Sequence, residues 1–142
     1  MNLLLDTHLL LWSAFAADRI APATARRLLD PANALWFSAA SIWEVAIKRA
    51  LDRPDFRVDP GVLRAGLLSN GYQELPVEGR HCLGLAHLPP LHGDPFDRML
   101  IVQAAAEGGH AGDVSRLQLA LAKRLVQGDE GAGAADVADV VD

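Results

Sequence analysis

Short apolar runs bounded by polar turn signals alternate along this chain with stretches whose apolar residues recur every three or four positions. Leu3-Leu4-Leu5 and Leu35-Trp36-Phe37-Ser38 are two such runs, and both read as buried strands of a parallel sheet. Gln73 to Val77 reads as a third strand. Between them, Pro22 to Leu29 opens on a proline at a first-turn position, and Ser41 to Ala50, Pro60 to Leu68 and Glu78 to Leu85 carry helical patterns. Asp94 to Glu107 continues the series, with Met99, Leu100, Val102 and Ala106 on a helix that begins near Asp-Pro. Such alternation predicts an α/β fold in which crossover helices flank a central parallel sheet and sites form beyond the carboxyl ends of strands. Asp6 and Ser38 stand at such ends. Trp12, Trp36 and Trp43 each lie in an apolar strand or helix and read as core. Leu51 to Pro60 is polar, proline-punctuated and reads as a loop.

After Gly108-Gly109 the pattern changes. Asp113 reads as the cap of a further helix with Val114, Leu117, Leu121 and Leu125 on one face, at spacings of three and four. Residues 128 to 135 are glycine- and alanine-rich and read as flexible, and Val137, Val140 and Val141 offer only a weak apolar face. The expected division is a domain over residues 1–127 and an acidic tail over 128–142.

Length and composition agree with one domain: 142 residues, 51% of them hydrophobic, are enough for a core. Cys82 is the single cysteine, and the first residues lack a basic start and a small-residue cleavage site, so a reducing cytoplasm is expected. No apolar run approaches the roughly 18 residues that span a bilayer, so no membrane partner is expected. The net charge of −5 is confined to the tail, because residues 1–127 hold 13 acidic and 13 basic groups. If several acids gather around cations, Arg19, Arg26, Arg27, Lys48, Arg49, Arg53, Arg57 and Arg64 are left to meet the phosphates of a nucleic acid.

Four carboxylates carry the chemistry. Asp6 follows Leu3-Leu4-Leu5, Glu44 lies within Ser41-Ile-Trp-Glu-Val-Ala-Ile-Lys48, and Asp94 and Asp97 lie within His92-Gly-Asp-Pro-Phe-Asp-Arg-Met-Leu-Ile101. An unpaired buried charge costs several kcal/mol, and oxygen-only clusters suit Mg²⁺ or Mn²⁺. Each residue also has a structural explanation. Asp6 and Asp94 fit helix caps, Ser41-Ile-Trp-Glu44 has the spacing of a capping box, and Asp97 fits an ion pair with Arg98 or Arg80. The five histidines lack cysteine partners and a His-x-x-x-His pair, which speaks against zinc. Glycine-rich phosphate loops are absent.

Taken together, Leu-Leu-Leu-Asp6-Thr-His, Ser41 to Lys48, Leu75-Pro-Val77, Leu88-Pro-Pro-Leu91 and His92 to Ala104 resemble the PIN-domain nucleases, specifically VapC-like toxins of bacterial toxin–antitoxin pairs, over about residues 1–108. The resemblance implies a PIN-like three-layer sandwich, Mg²⁺- or Mn²⁺-dependent cleavage of RNA, a homodimer and a cognate antitoxin. Asp6, Glu44 and Asp97 occupy the family's first three acidic positions, and Asp94 is a nearby extra carboxylate ranked lower as a ligand. The departure follows residue 108. Such proteins continue with a short apolar strand and a Thr-x-Asp motif, whereas here the chain reads Glu107-Gly-Gly-His-Ala-Gly-Asp113-Val-Ser. A frameshifted or replaced terminus is one account; it would leave a sheet edge unpaired and weaken the metal site. Asp113 is then the candidate substitute for the fourth acid. Two functions remain open: an endoribonuclease toxin, or a catalytically impaired module that binds an antitoxin or dimerises without cutting. A phosphatase with Asp6 as nucleophile is weaker, because His8 and not an acid stands two residues later.

Overall fold

The computed structural model describes residues 2–52, 56–88 and 93–108, together with the backbone of two further strands, Leu117–Ala120 and Val137–Ala138. β1 (Asn2–Leu5), α1 (Thr7–Phe15), α2 (Pro22–Leu29), β2 (Ala34–Ser38), α3 (Ala39–Ala50), α4 (Pro60–Ser69), β3 (Gln73–Leu75), α5 (Gly79–Gly84), α6 (Pro95–Gly108), β4 (Leu117–Ala120) and β5 (Val137–Ala138) follow one another, with short 3₁₀ turns at Ala17–Arg19 and Leu85–His87. The expected α/β sandwich is what forms.

The strands join one sheet in the order β3-β2-β1-β4-β5. β1 pairs in parallel with β2 on one side (Leu5 opposite Phe37) and with β4 on the other (Leu5 opposite Ala120). β2 pairs in parallel with β3, and β5 closes the far edge antiparallel to β4. Here the expected helix carrying Leu117 is corrected: Leu117–Ala120 is a strand, and the second edge of β1 is paired instead of exposed. The physical reason is that the central strand needs hydrogen-bonding partners on both sides, which a helix cannot supply. Val114, Leu121, Leu125, Asp113, residues 128–136, Val140 and Val141 lie outside the described residues.

Side-chain alternation along β1 builds two cores. Leu3 and Leu5 face one side, where Leu9 and Leu10 of α1, Phe37, Val45 of α3 and Leu63 and Leu67 of α4 pack. Leu4 faces the other, against Leu75 and against Leu100, Ile101 and Ala104 of α6. All three β1 leucines are fully buried, so this strand is apolar without alternation because both faces are covered. Burying each such side chain contributes about 1.5–3 kcal/mol. Gly84 lets α5 approach α6 closely; a Cβ added there would lie 2.6 Å from Val102 Cγ1. Among the described residues, no helix is long and apolar enough to cross a membrane.

One aromatic departs from expectation. Trp43 is 62% exposed, not core, and meets Phe96 edge to face at 5.2 Å between ring centroids. The inward face of α3 is taken by Ala40, Ser41, Glu44 and Val45, which turns Trp43, Ile47 and Leu51, spaced four apart, outward.

Candidate active site

The strand order reverses at β1, whose neighbours β2 and β4 are reached by chain running in opposite directions across the sheet. In open α/β sheets the crevice beyond the carboxyl end of such a strand is where ligands bind. Asp6 is the residue immediately after β1. Its side chain is fully buried, and Oδ1 accepts the Leu9 N–H at 2.8 Å, making it the N-cap of α1. Capping and a site role are therefore compatible, because a carboxylate has about four lone-pair positions and this bond uses one.

Thr7 ties the end of β1 to α3. Its hydroxyl donates to Glu44 Oε1 at 2.7 Å and lies 3.0 Å from Ser41 Oγ. Lys48, one helical turn beyond Glu44, donates to Oε2 at 2.7 Å. Glu44 is only 4% exposed, so its burial is offset by a hydroxyl and a cation together. The capping-box account of Glu44 is not what the helix uses. α3 begins at Ala39, capped by the Ser38 hydroxyl, which accepts from the Ala40 N–H at 3.0 Å.

Asp97 enters from α6. It is 9% exposed and lies in the first turn, where the helix dipole favours a carboxylate. Asp94 caps the same helix: its Oδ1 accepts from Phe96 N at 2.8 Å and from Asp97 N at 3.1 Å. Arg80, one of the cations considered for Asp97, instead pairs with Glu78 and Glu107. Trp43 and Phe96, the residues preceding Glu44 and Asp97, touch one another, which brings the two acid-bearing helical turns face to face. Gln103 holds α6 in place, accepting from Ser38 Oγ at 2.6 Å and donating to the Pro76 carbonyl at 3.2 Å. Both Ser38 and Gln103 are fully buried.

Asp6 thus follows β1, Glu44 lies midway along α3 and Asp97 lies in the first turn of α6, with Asp94 as the cap of that helix. Their donor set is oxygen only, which fits a hard divalent ion such as Mg²⁺ or Mn²⁺. Among the described residues, the group whose ligand atoms come within 4.8 Å of one another is a different one, Glu78, His81 and Glu107, and sequence reasoning passed it over. Its geometry suits a latch. His81 Nδ1 accepts the Glu78 N–H at 2.9 Å, so Nε2 carries the hydrogen and donates to Glu107 Oε1 at 2.9 Å, while Arg80 also holds Glu107. With both ring nitrogens engaged, His81 has no lone pair left for a metal. Burial works against ionisation of Glu107, but the hydrogen bonds from His81 and Arg80 outweigh it and hold the carboxyl below its usual range.

The cations expected to face phosphate are unequal. Arg64 is committed to Glu74 at 2.7 and 3.0 Å, and the Arg49 guanidinium donates to the Arg57 carbonyl. Arg26 and Arg27 are exposed on α2, and Arg53 is outside the described residues. Sequence reasoning also missed Thr7, Ser41 and Gln103 as supports of the acids; the first two lie inside the motifs that drew attention to Asp6 and Glu44.

No curated protein matches the chain. A family model described as PIN domain matches residues 3–111, well over half of the chain. The chain, whose buried carboxylates lie just after β1, within α3 and in the first turn of α6, belongs to the PIN-domain family, whose members are typically metal-dependent nucleases.

Proposed function

We propose that the protein is a Mg²⁺- or Mn²⁺-dependent endoribonuclease, the toxin of a toxin–antitoxin pair, that hydrolyses RNA phosphodiester bonds. The observation that carries this reading is the burial of Asp6, Glu44 and Asp97, just after the central strand β1, within α3 and in the first turn of α6, with Thr7 bonding from the end of β1 to Glu44 and Trp43 meeting Phe96. Burying three carboxylates is costly, and a divalent ion would add to what their hydrogen bonds and the Lys48 ammonium offset. Asp6, Glu44 and Asp97 would hold the ion, and Asp94, through its hold on the Asp97 N–H, sets where that carboxylate starts.

A divalent ion bound there supplies Lewis acidity, an acidified water and neutralisation of charge on the phosphoryl group. The chain's own part is preorganisation. Leu9 N–H fixes Asp6, Thr7 and Lys48 fix Glu44, and the Ser38–Gln103 bond fixes the helix that carries Asp97. These contacts orient the carboxylates before substrate arrives. Exposed Arg26 and Arg27 give a surface on which an RNA backbone would be attracted. A homodimer and a cognate antitoxin protein, acting in the cytoplasm, complete the proposal, as the resemblance to VapC-like toxins implies.

Incubation of purified cellular RNA with the wild-type chain and with Asp97→Asn, each with Mn²⁺ and with a chelator, tests it. Mn²⁺-dependent cleavage by wild type that Asp97→Asn lacks is the expected result. Equal cleavage by both would overturn the site, and no cleavage at saturating Mn²⁺ would select a non-cleaving binding module instead.

A further inference from the structure

Glu44 has a resident cation. Lys48 Nζ sits 2.7 Å from Glu44 Oε2, and the two side chains differ sharply in exposure, 35% against 5%. Thr7 holds the other oxygen. The lysine therefore reaches from the rim of the site to a buried carboxylate, and its ammonium nitrogen also lies 5.9 Å from the centre of the Phe56 ring. An ordinary i,i+4 surface pair joins two solvated groups and contributes little. This one plugs a carboxylate that the nuclease reading assigns to a divalent ion.

Two cations compete for one buried carboxylate, and charge decides the contest. A divalent ion attracts Glu44 twice as strongly as an ammonium at equal distance, and repels the ammonium in turn. The ammonium, on a flexible four-carbon stem that is partly in solvent, has somewhere to go. A phosphate oxygen is the matching acceptor, because a strand bound across these acids must bring phosphates to the rim where Lys48 emerges.

We propose that Lys48 is an intramolecular counter-ion of Glu44 which a divalent ion displaces, and that the displaced ammonium then binds a backbone phosphate of the RNA. The second half rests on the nuclease reading of the site; the first half does not. The exchange makes ion binding and RNA binding mutually reinforcing, by the same factor in each direction. Lys48 is in this sense a positioning residue that holds Glu44 in place until the ion arrives.

The test uses the full-length protein as wild type, Lys48→Met and Lys48→Arg, with Lys48→Gln in reserve should the methionine variant fail to fold by circular dichroism. Mn²⁺ binding is measured by calorimetry without RNA. Binding of a cleavage-resistant phosphorothioate RNA is measured by anisotropy with and without saturating Mn²⁺. Removing the competing charge is expected to tighten Mn²⁺ binding by Lys48→Met about tenfold. RNA binding by the same variant should weaken by about tenfold with Mn²⁺ present and stay at the wild-type value without it, since Lys48 is then occupied; Lys48→Arg should keep the wild-type pattern. Unchanged or weaker Mn²⁺ binding by Lys48→Met overturns the counter-ion role. An RNA defect of equal size with and without Mn²⁺ overturns the transfer. Wild-type protein that binds Mn²⁺ but no RNA overturns the nuclease reading and the transfer with it, leaving the counter-ion role to stand or fall on the calorimetry. Binding of neither by any form overturns both.

Discussion

Thr7 donates its hydroxyl to Glu44 across 2.7 Å, joining the residue after the first acid of the site to the second acid, 37 positions away in sequence. The bond makes the geometry at the end of β1 depend on α3. Thr7→Val keeps the shape and removes the donor. The expected outcome is a fall of about 10- to 100-fold in RNA cleavage with a stability loss of only about 1 kcal/mol, read from initial rates and denaturant unfolding. Thr7→Ser should restore the rate.

Ser38 and Gln103 form a buried pair at 2.6 Å. Gln103→Leu should cost about 1–3 kcal/mol, because it strands the Ser38 hydroxyl and the Pro76 carbonyl. The double variant Ser38→Ala/Gln103→Leu should lose less than the two single losses combined. Urea midpoints of the four proteins check this; strict additivity would count against a coupled pair.

Asp94 acts by capping α6. Asp94→Ala should cost about 1 kcal/mol of stability and lower cleavage less than Asp97→Asn does, since only the latter removes an acid assigned to the ion. Thermal melts and initial rates of the two variants make the comparison.

At Gly84 the two helices leave no room for a side chain. Gly84→Ala drives a Cβ toward Val102 Cγ1, and a valine in a helix has little rotamer freedom with which to yield. A loss of about 1–3 kcal/mol is expected, partly recovered in Gly84→Ala/Val102→Ala. Calorimetric unfolding of the pair decides it.

Acid should loosen the α5–α6 latch. The Glu107 carboxyl is held below its usual range in the folded state, so the contribution is fully present above the unfolded value of about 4.3 and is lost as pH falls from there through the folded pKa. Arg64 does the same for Glu74, first by hydrogen bond and then by charge, with burial opposing. Melting temperatures between pH 3 and 7 should fall less steeply below about pH 5 in Glu107→Gln than in wild type.

Much of the fold was legible because local pattern and tertiary structure agree. α2 runs from Pro22 to Leu29 as its proline start predicts, and the leucines of β1 declare a strand covered on both faces. Where the site intrudes, the pattern misleads. On α3 the buried face carries Ser41 and Glu44 while Trp43 and Leu51 are exposed, so apolarity points the wrong way. Leu117, Leu121 and Leu125 satisfy helical spacing, yet Leu117–Ala120 joins a ladder whose partner is at the other end of the chain. No local signal carries that information. The acids themselves were readable as residue types, whereas their supports Thr7 and Gln103 were not, because a hydrogen bond between elements has no sequence period.

The pairing of β1 with β4 has a bearing on timing. Asn2–Leu5 must find Leu117–Ala120, far along the chain, before its second side is satisfied, and closing so long a loop is slow. Asp6 hangs on the end of that waiting strand. The end of β1 that carries Asp6 therefore becomes rigid only once this long-range pairing has formed.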